Sequence, residues 1–291
     1  MTSTFTKFIL LATLSILMYC QRIPSPKIDT GQKDWSVQVD SFQVFSTVMQ
    51  KTIAASIMLP SAYFRDTNRQ FPVVYLLHGY SGDHRSWINR VPELKKWADQ
   101  LDLILVFPDG QFNAWYLDSP VLDSVRFGTF TANELPRFID QNYRSMAVPN
   151  GRGITGLSMG GHGALFLSAQ YPGQFGIASS MSGGLDLRPF PNNWELSHIL
   201  GTLQEKPENW DQYSVINMLD AFQKHPIPIM IDCGLDDFFF ATNQATHEQM
   251  LKMGIEHDYV LRPGAHTWDY WERILPYHLL FFHEFFYDAN R

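Results

Sequence analysis

The chain has 291 residues, of which 45% are hydrophobic and 18% are charged, a composition that supports a buried core and excludes an intrinsically disordered chain. Its 29 acidic and 22 basic residues give a formal net charge of −7. No run of five or more Lys and Arg occurs, so we expect no nucleic-acid partner.

An apolar run, residues 8–18, follows Lys7 near the start of the chain. It has the length of the hydrophobic region of a signal peptide and is short for a bilayer span. Cys20 and a polar stretch come next, in an order that resembles a bacterial lipoprotein signal with a lipidated cysteine, although Tyr19 stands where that signal has a small residue. We expect an exported protein with a signal over 1–20, a linker over 21–34 and one folded domain over 35–291. An uncleaved anchor is the alternative.

The rest of the chain alternates strand-like and helix-like patterns. Residues 37–45 and 47–59 show the period of two typical of strands and predict an antiparallel entry to a sheet. Short apolar runs predict strands buried on both faces, as in a parallel sheet; they cover residues 72–77, 103–107, 153–157, 176–180, 227–231 and 259–261. Helical patterns separate these runs, at residues 87–100, 130–143, 160–171, 242–253 and 270–286. The sequence therefore predicts an α/β fold with a mostly parallel central sheet flanked by helices.

One long stretch interrupts this alternation. Residues 185–225 are rich in Pro, Asn and Trp. We expect this stretch to be an insertion near the edge of the sheet that shapes a binding site.

A glycine-flanked serine occupies residues 156–160, which read Gly-Leu-Ser-Met-Gly. The apolar run before it predicts a strand, and the small residues Gly161, Gly163 and Ala164 predict a helix that packs close to the sheet. A serine between a strand and a helix in this pattern is typical of the nucleophile elbow, a turn so tight that nearby Cβ atoms would clash. Ser158 is therefore the predicted nucleophile, and an exposed serine in a glycine-rich turn is the alternative.

A serine nucleophile needs a histidine base and a carboxylate that orients the base. On a sheet of this kind, the acid and then the histidine follow the serine along the chain. Among the ten histidines, His266 fits best because it lies between the last predicted strand and the final predicted helix. Four carboxylates are candidates for the acid: Asp232, Asp236 and Asp237 after the strand at 227–231, and Asp186 after the preceding strand.

Backbone N–H groups must also stabilise the oxygen that becomes charged during attack on an ester. The first predicted donor is Met159, directly after the serine. The second comes from the glycine-containing loop at residues 77–82, where we choose Tyr80 and keep its neighbours as alternatives.

Three segments together resemble the putative-esterase (esterase D) family of α/β-hydrolases. They are residues 77–79 (Leu-His-Gly), 156–161 (Gly-Leu-Ser-Met-Gly-Gly) and 263–268 (Pro-Gly-Ala-His-Thr-Trp). That family includes feruloyl esterases, acetyl-xylan esterase-like enzymes, S-formylglutathione hydrolases and mycolyltransferases. The resemblance implies an α/β-hydrolase fold and a serine esterase that needs neither metal nor cofactor.

The feruloyl-esterase-like branch also implies individual site residues. It places the triad acid at the last position of a Gly-Thr-Glu-Asp-like motif, which falls on Asp237. Residues 113–119 resemble a segment near the site in that branch, so Trp115 and Tyr116 either contact substrate or buttress the loop. Trp268, in the histidine motif, is a further candidate for substrate contact.

The expected function follows from the resemblance and from the predicted export. We expect an ester hydrolase whose substrate is an acylated carbohydrate, with acetyl or feruloyl groups removed from plant polysaccharide. The alternatives are an S-formylglutathione hydrolase, an acyltransferase of the same family and a non-catalytic carbohydrate-binding protein. The sequence does not predict the oligomeric state.

Overall fold

The computed structural model describes residues 39–288. The predicted signal over 1–20, which includes Cys20, and the predicted linker over 21–34 lie outside the described residues. Of the helices in the described range, none has both the length and the apolar character needed to cross a bilayer.

The described strands form one eight-stranded sheet with the order β1-β2-β4-β3-β5-β6-β7-β8. Strand β1 pairs antiparallel with β2, which pairs antiparallel with β4, and the remaining neighbours are parallel. The strands are β1 (Val39–Ser46), β2 (Lys51–Met58), β3 (Val73–Leu77), β4 (Ile104–Pro108), β5 (Arg152–Gly156), β6 (Ile177–Met181), β7 (Ile229–Gly234) and β8 (Asp258–Arg262). The prediction of a mostly parallel sheet with an antiparallel entry is confirmed.

Helices flank this sheet. They are α1 (Ser61–Arg65), α2 (Ser86–Arg90), α3 (Leu94–Gln100), α4 (Phe127–Thr129), α5 (Leu135–Asn142), α6 (Met159–Gln170), α7 (Leu196–Leu200), α8 (Pro207–Gln212), α9 (Asp220–Lys224), α10 (Phe240–Lys252) and α11 (Trp268–Asp288). A π-helical turn, Phe130–Glu134, joins α4 to α5. The single helix predicted over 87–100 is two helices, because Pro92 keeps Val91 out of the helical conformation, at φ −121° and ψ 85°.

Both faces of the sheet are buried, which explains the continuous apolar runs. Val73, Tyr75 and Leu77 of β3 belong to one core cluster, which also contains residues of α5 and α6. Val74 and Leu76 belong to the other, which also contains residues of α3 and α11. Alternate residues of one strand thus supply two separate cores.

The predicted insertion at 185–225 connects two strands close to the β8 edge of the sheet. It joins β6 to β7, which are neighbouring strands inside the sheet. Its buried residues Leu187, Leu200 and Trp210 belong to the same core as Leu165 of α6. These apolar residues pack on the face of the sheet that carries α6.

Candidate active site

The turn between β5 and α6 carries Ser158. Its backbone has φ 56° and ψ −117°, a left-handed φ that costs free energy for any residue except glycine. A Cβ on Gly156 would lie 2.6 Å from the backbone carbonyl of Gly160, and one on Gly160 would lie 2.4 Å from the carbonyl oxygen of Leu77. The two glycines of the motif therefore permit the close approach of strand, helix and neighbouring loop that this turn needs.

Ser158, His266 and Asp237 form a continuous hydrogen-bonded chain. The Oγ atom of Ser158 is 2.8 Å from Nε2 of His266. Nδ1 of the same ring is 2.9 Å from Oδ2 and 3.0 Å from Oδ1 of Asp237. An ionised carboxylate only accepts hydrogen bonds, so Nδ1 carries the proton and Nε2 can accept the proton of the serine hydroxyl.

Asp237 is held in the turn that follows β7. Its Oδ1 accepts a hydrogen bond from the backbone N–H of Phe239 at 2.8 Å, and its side chain is fully buried. A Cβ on Gly234 would lie 2.3 Å from the carbonyl oxygen of Gly264. The missing side chain lets this turn contact the loop that carries His266.

The other three candidate acids lie elsewhere. Asp236 is exposed. Asp232 is buried, and its carboxylate accepts hydrogen bonds from Arg262 at 3.0 Å and from Tyr270. Asp186 is paired with Arg188. The structure therefore brings only Asp237 of the four to His266.

Aromatic rings surround the imidazole of His266. The ring of Phe238 lies 4.1 Å away between centroids, and that of Trp271 lies 4.8 Å away at an interplanar angle of 90°. The His266 side chain is only 14% exposed. Exclusion of water strengthens the hydrogen bonds at both ring nitrogens, because the local dielectric constant is lower than that of the solvent.

The loop after β3 passes directly beside the nucleophile. A Cβ on Gly79 would lie 3.5 Å from Cβ of Ser158, and Tyr80 lines the cleft that contains Ser158. The N–H of Met159 is the first of α6, where backbone donors lack an intrahelical acceptor. Both residues chosen as oxyanion donors are thus adjacent to the nucleophile, one on each of two converging segments.

Buried polar contacts hold this loop in place. His78 accepts a hydrogen bond at Nε2 from the backbone N–H of Gly110 at 2.8 Å, so the proton on its Nδ1 can be donated to the carbonyl oxygen of Gly79, also at 2.8 Å. The backbone N–H of His78 donates to the hydroxyl of Tyr116 at 2.9 Å. These bonds fix the backbone of the loop on the side away from the cleft.

A cleft of about 570 Å³ opens above the serine. Trp194 and Phe238 form one aromatic wall, with ring centroids 5.6 Å apart and an interplanar angle of 24°. Trp268 and Trp271 form another, with centroids 5.6 Å apart. Besides Ser158 and His266, the polar side chains of the lining include Ser81, Asp83, Ser86, Asn89, Arg90 and Thr267.

Trp115 and Tyr116 do not line this cleft. Both have left-handed φ values, 52° and 55°, and both are almost fully buried, at 1% and 0% exposure. Trp115 lies behind Trp194, with ring centroids 5.9 Å apart, and Tyr116 supports the loop at His78. The structure therefore corrects the candidate role of substrate contact for these two residues and shows the buttressing alternative, whereas Trp268 does line the cleft.

Three aromatic residues of the lining, Trp194, Phe238 and Trp271, are absent from the predicted site. Trp194 belongs to the insertion, and its place at the cleft depends on the path of that segment, which includes left-handed φ values at Trp194 and Glu195. Phe238 directly follows the triad acid. The available signals were the tryptophan content of the insertion and the position of Phe238 next to Asp237.

A second, larger cleft of about 810 Å³ lies at the other ends of β7 and β8. Residues 226–229 and 253–258 supply most of its lining, which includes neither serine nor cysteine. Over residues 39–288, no group of three or more His, Cys, Asp or Glu is arranged to hold a metal ion.

Comparison with protein families gives a match to the model of the family described as putative esterase, over residues 46–282. Among curated proteins, an esterase of Mycobacterium tuberculosis is 30% identical over 239 residues, which are 73% of this chain and 52% of that protein. The chain thus spans about half the length of this relative. An acetyl esterase of Caldicellulosiruptor saccharolyticus is 26% identical over 252 residues, covering 79% of this chain and 92% of the relative.

Solved structures show the same architecture. A ferulic acid esterase superposes with a TM-score of 0.74 and 27% identity, covering 86% of this chain and 99% of that structure. An S-formylglutathione hydrolase of Staphylococcus aureus superposes with a TM-score of 0.73 and 18% identity, covering 84% of this chain and 98% of that structure. The second likeness shows the fold alone, and together with the sheet topology the neighbours show an α/β-hydrolase fold.

Proposed function

The chain belongs to the putative esterase family, and from this premise we propose that it is a carboxylic-ester hydrolase in which Ser158, His266 and Asp237 carry out the hydrolysis through an acyl-enzyme. The observation that carries the proposal is the unbroken contact from Asp237 through His266 to Oγ of Ser158, which ends at 2.8 Å. Ser158 also lines the cleft, so a bound ester can reach its hydroxyl group.

The reaction begins when Oγ of Ser158 attacks the ester carbonyl carbon and its proton passes to Nε2 of His266. The carbonyl oxygen becomes an oxyanion and accepts hydrogen bonds from the backbone N–H groups of Met159 and Tyr80. His266 then gives the proton to the departing alcohol, and the acyl group remains bound to Oγ of Ser158 as an ester. Water then gives a proton to Nε2 of His266 as its oxygen attacks the acyl carbon. The bond between the acyl carbon and Oγ of Ser158 breaks, Oγ takes the proton from His266, and the carboxylic acid leaves. Asp237 holds the imidazole in the required tautomer and stabilises it while it is charged.

For the substrate, we propose acetyl or feruloyl esters of plant polysaccharide. Two aromatic walls with a polar rim suit a sugar or an aryl group, because rings stack on both while polar side chains bind hydroxyl groups. The names of a 26% identical acetyl esterase and a 27% identical ferulic acid esterase support the same two acyl groups.

A hydrolysis panel tests this choice. The substrates are p-nitrophenyl acetate, butyrate and ferulate, methyl ferulate, acetylated xylan and S-formylglutathione, with kcat/KM measured for each. We expect acetylated xylan or methyl ferulate to be the best natural-type substrate. A kcat/KM for S-formylglutathione that exceeds all of the carboxylic esters would contradict the polysaccharide proposal.

A substitution at Trp194 tests whether the aromatic wall that contains this residue binds a feruloyl group. In the Trp194→Ala variant, we expect the ratio of kcat/KM for p-nitrophenyl ferulate to that for p-nitrophenyl acetate to fall about 5- to 20-fold, because an aryl group loses a ring contact and an acetyl group does not. The ratio within one preparation removes any effect of partial unfolding. An unchanged ratio would show that this wall does not bind the acyl group.

We further propose that the protein is exported, with attachment to a membrane through a lipid on Cys20. The support is the apolar run at residues 8–18 and the cysteine directly behind it. Polysaccharide lies outside the cell, so this location agrees with the proposed substrate.

A further inference from the structure

One buried carboxylate near the triad takes no part in the proposed reaction. Asp232 lies near the end of β7, and its side chain has no exposed surface. Oδ2 accepts a hydrogen bond from Nε of Arg262 at 3.0 Å, and Oδ1 accepts one from the hydroxyl of Tyr270. Arg262 is the last residue of β8, and Tyr270 is in the first turn of α11. The Asp232 side chain is therefore hydrogen-bonded to residues on both sides of the loop that carries His266.

The Tyr270 ring also touches this loop directly. A Cβ on Gly264 would lie 2.3 Å from Cδ2 of the ring, so the ring packs against the backbone of that glycine. Gly264 has φ 149°, and its carbonyl oxygen accepts a hydrogen bond from the backbone N–H of Asp236 at 2.9 Å. The position of the Tyr270 ring therefore determines where the loop lies two residues before His266.

Trp271 provides a second support. Its Nε1 donates a hydrogen bond to Oγ of Ser182 at 3.1 Å, and its ring stands perpendicular to that of His266. The backbone N–H of Ser182 in turn donates to the carbonyl oxygen of Asp232 at 2.8 Å. Tyr270 is thus held by the side chain of Asp232 and packs against the loop, whereas Trp271 is held through Ser182 by the backbone of Asp232 and packs against the imidazole.

Burial of a carboxylate costs free energy, because an ionised group loses its hydration. Burial raises the pKa of Asp232 above its ordinary value, while the hydrogen bonds from Tyr270 and Arg262 act in the opposite direction. An apolar side chain would avoid the cost but would give neither directional bond. The two hydrogen bonds, from Tyr270 and from Arg262, therefore account for a carboxylate at this buried position.

We propose that Asp232 is a positioning residue that acts through Tyr270 and Arg262 to keep Nε2 of His266 within hydrogen-bond distance of Ser158. The inference rests on the proposed function, since it concerns the base of that reaction. Proton transfer by a placed side chain contributes about 10²- to 10⁴-fold to a rate, and a displacement of about 1 Å removes up to about 10² of it. Loss of the support should therefore lower kcat and leave substrate binding almost unchanged.

The variant Tyr270→Phe tests this with the smallest change, because it removes the hydroxyl and keeps the ring under Gly264. The matched control is Tyr75→Phe in β3, since Tyr75 is fully buried and its hydroxyl has no hydrogen-bond partner in the described part of the chain. We expect Tyr270→Phe to lower kcat for p-nitrophenyl acetate about tenfold with KM within about twofold. We expect Tyr75→Phe to match the wild type in both constants.

Labelling by a fluorophosphonate supplies a second readout, because it reports attack by Ser158 with help from His266 and involves no ester binding. Tyr270→Phe should slow this labelling by the same factor as kcat. A purely structural role would lower the melting temperature and change neither rate in the folded protein.

Asp232→Asn leaves one acceptor oxygen for two donors and removes the charge that faces Arg262, so it should lower kcat at least as much as Tyr270→Phe. The double variant should lose no more than Asp232→Asn alone, because both changes act on one hydrogen-bond network. A kcat for Tyr270→Phe within twofold of that for Tyr75→Phe would overturn the proposal, even if Asp232→Asn fails to fold. A wild-type chain that hydrolyses no ester and is not labelled contradicts the proposed function itself, and the inference falls with it.

Discussion

Two neighbouring carboxylates after β7 have different surroundings. Asp237 is buried and contacts Nδ1 of His266 at 2.9 Å, whereas Asp236 is exposed and contributes its backbone N–H to the histidine loop. The difference arises in the turn, where successive side chains point in different directions. Only one of the two can therefore act on the imidazole.

We expect Asp237→Asn to lower kcat by about 10²- to 10⁴-fold with little change in KM, because an amide stabilises the wrong tautomer and not the charged ring. Asp236→Asn is the matched control and should cost less than about tenfold. Steady-state kinetics of the two purified variants measure both. A reversed pair of results would transfer the role to Asp236.

At the scale of elements, Glu134 ties the π-helical turn to the β1–β2 hairpin. Its carboxylate accepts hydrogen bonds from the Ser46 hydroxyl at 2.6 Å and from the backbone N–H of Thr47 at 2.7 Å. Burial acts to raise the pKa of Glu134, but these bonds outweigh it and hold the pKa below its ordinary value. A carboxyl group with a lowered folded-state pKa contributes stability above its unfolded-state pKa and loses it as the pH falls through the folded value.

We expect Glu134→Gln to lower the melting temperature at pH 7 by about 2–4 °C and to leave kcat unchanged, since the hairpin is remote from the triad. The difference from the wild type should shrink as the pH falls below about 4. Thermal unfolding followed by circular dichroism from pH 7 to 3 measures it. A difference that stays constant over this range would show that the ionised carboxylate is not the stabilising form.

The elements also show which features a sequence can predict. Ser158 and His266 were predictable because glycine spacing and chain order specify the elbow and the loop, and the split of α2 from α3 could be inferred from Pro92. Trp115 and Trp194 were not predictable, because backbone turns with left-handed φ decide which ring faces the cleft. Asp237 could be chosen over Asp236 only through the resemblance to a family, since the strand pattern is the same for both.

At the scale of the whole molecule, the proposed export predicts where the chain is found. Cys20→Ala should move the protein from the membrane fraction to the soluble fraction and abolish labelling by metabolic palmitate, because one residue carries the lipid. Fractionation of cells that express each form provides the measurement. A soluble cytosolic product that retains residues 1–19 would contradict the proposed export.

The central claim is that Ser158 forms the acyl-enzyme, and the hydrolysis rate of purified Ser158→Ala tests it most directly. Alanine keeps the backbone of the elbow, so the variant should fold with the circular dichroism spectrum of the wild type. We predict a loss of about 10⁴- to 10⁶-fold in kcat for p-nitrophenyl acetate. A folded Ser158→Ala variant that retains more than about a tenth of the wild-type rate would contradict the account.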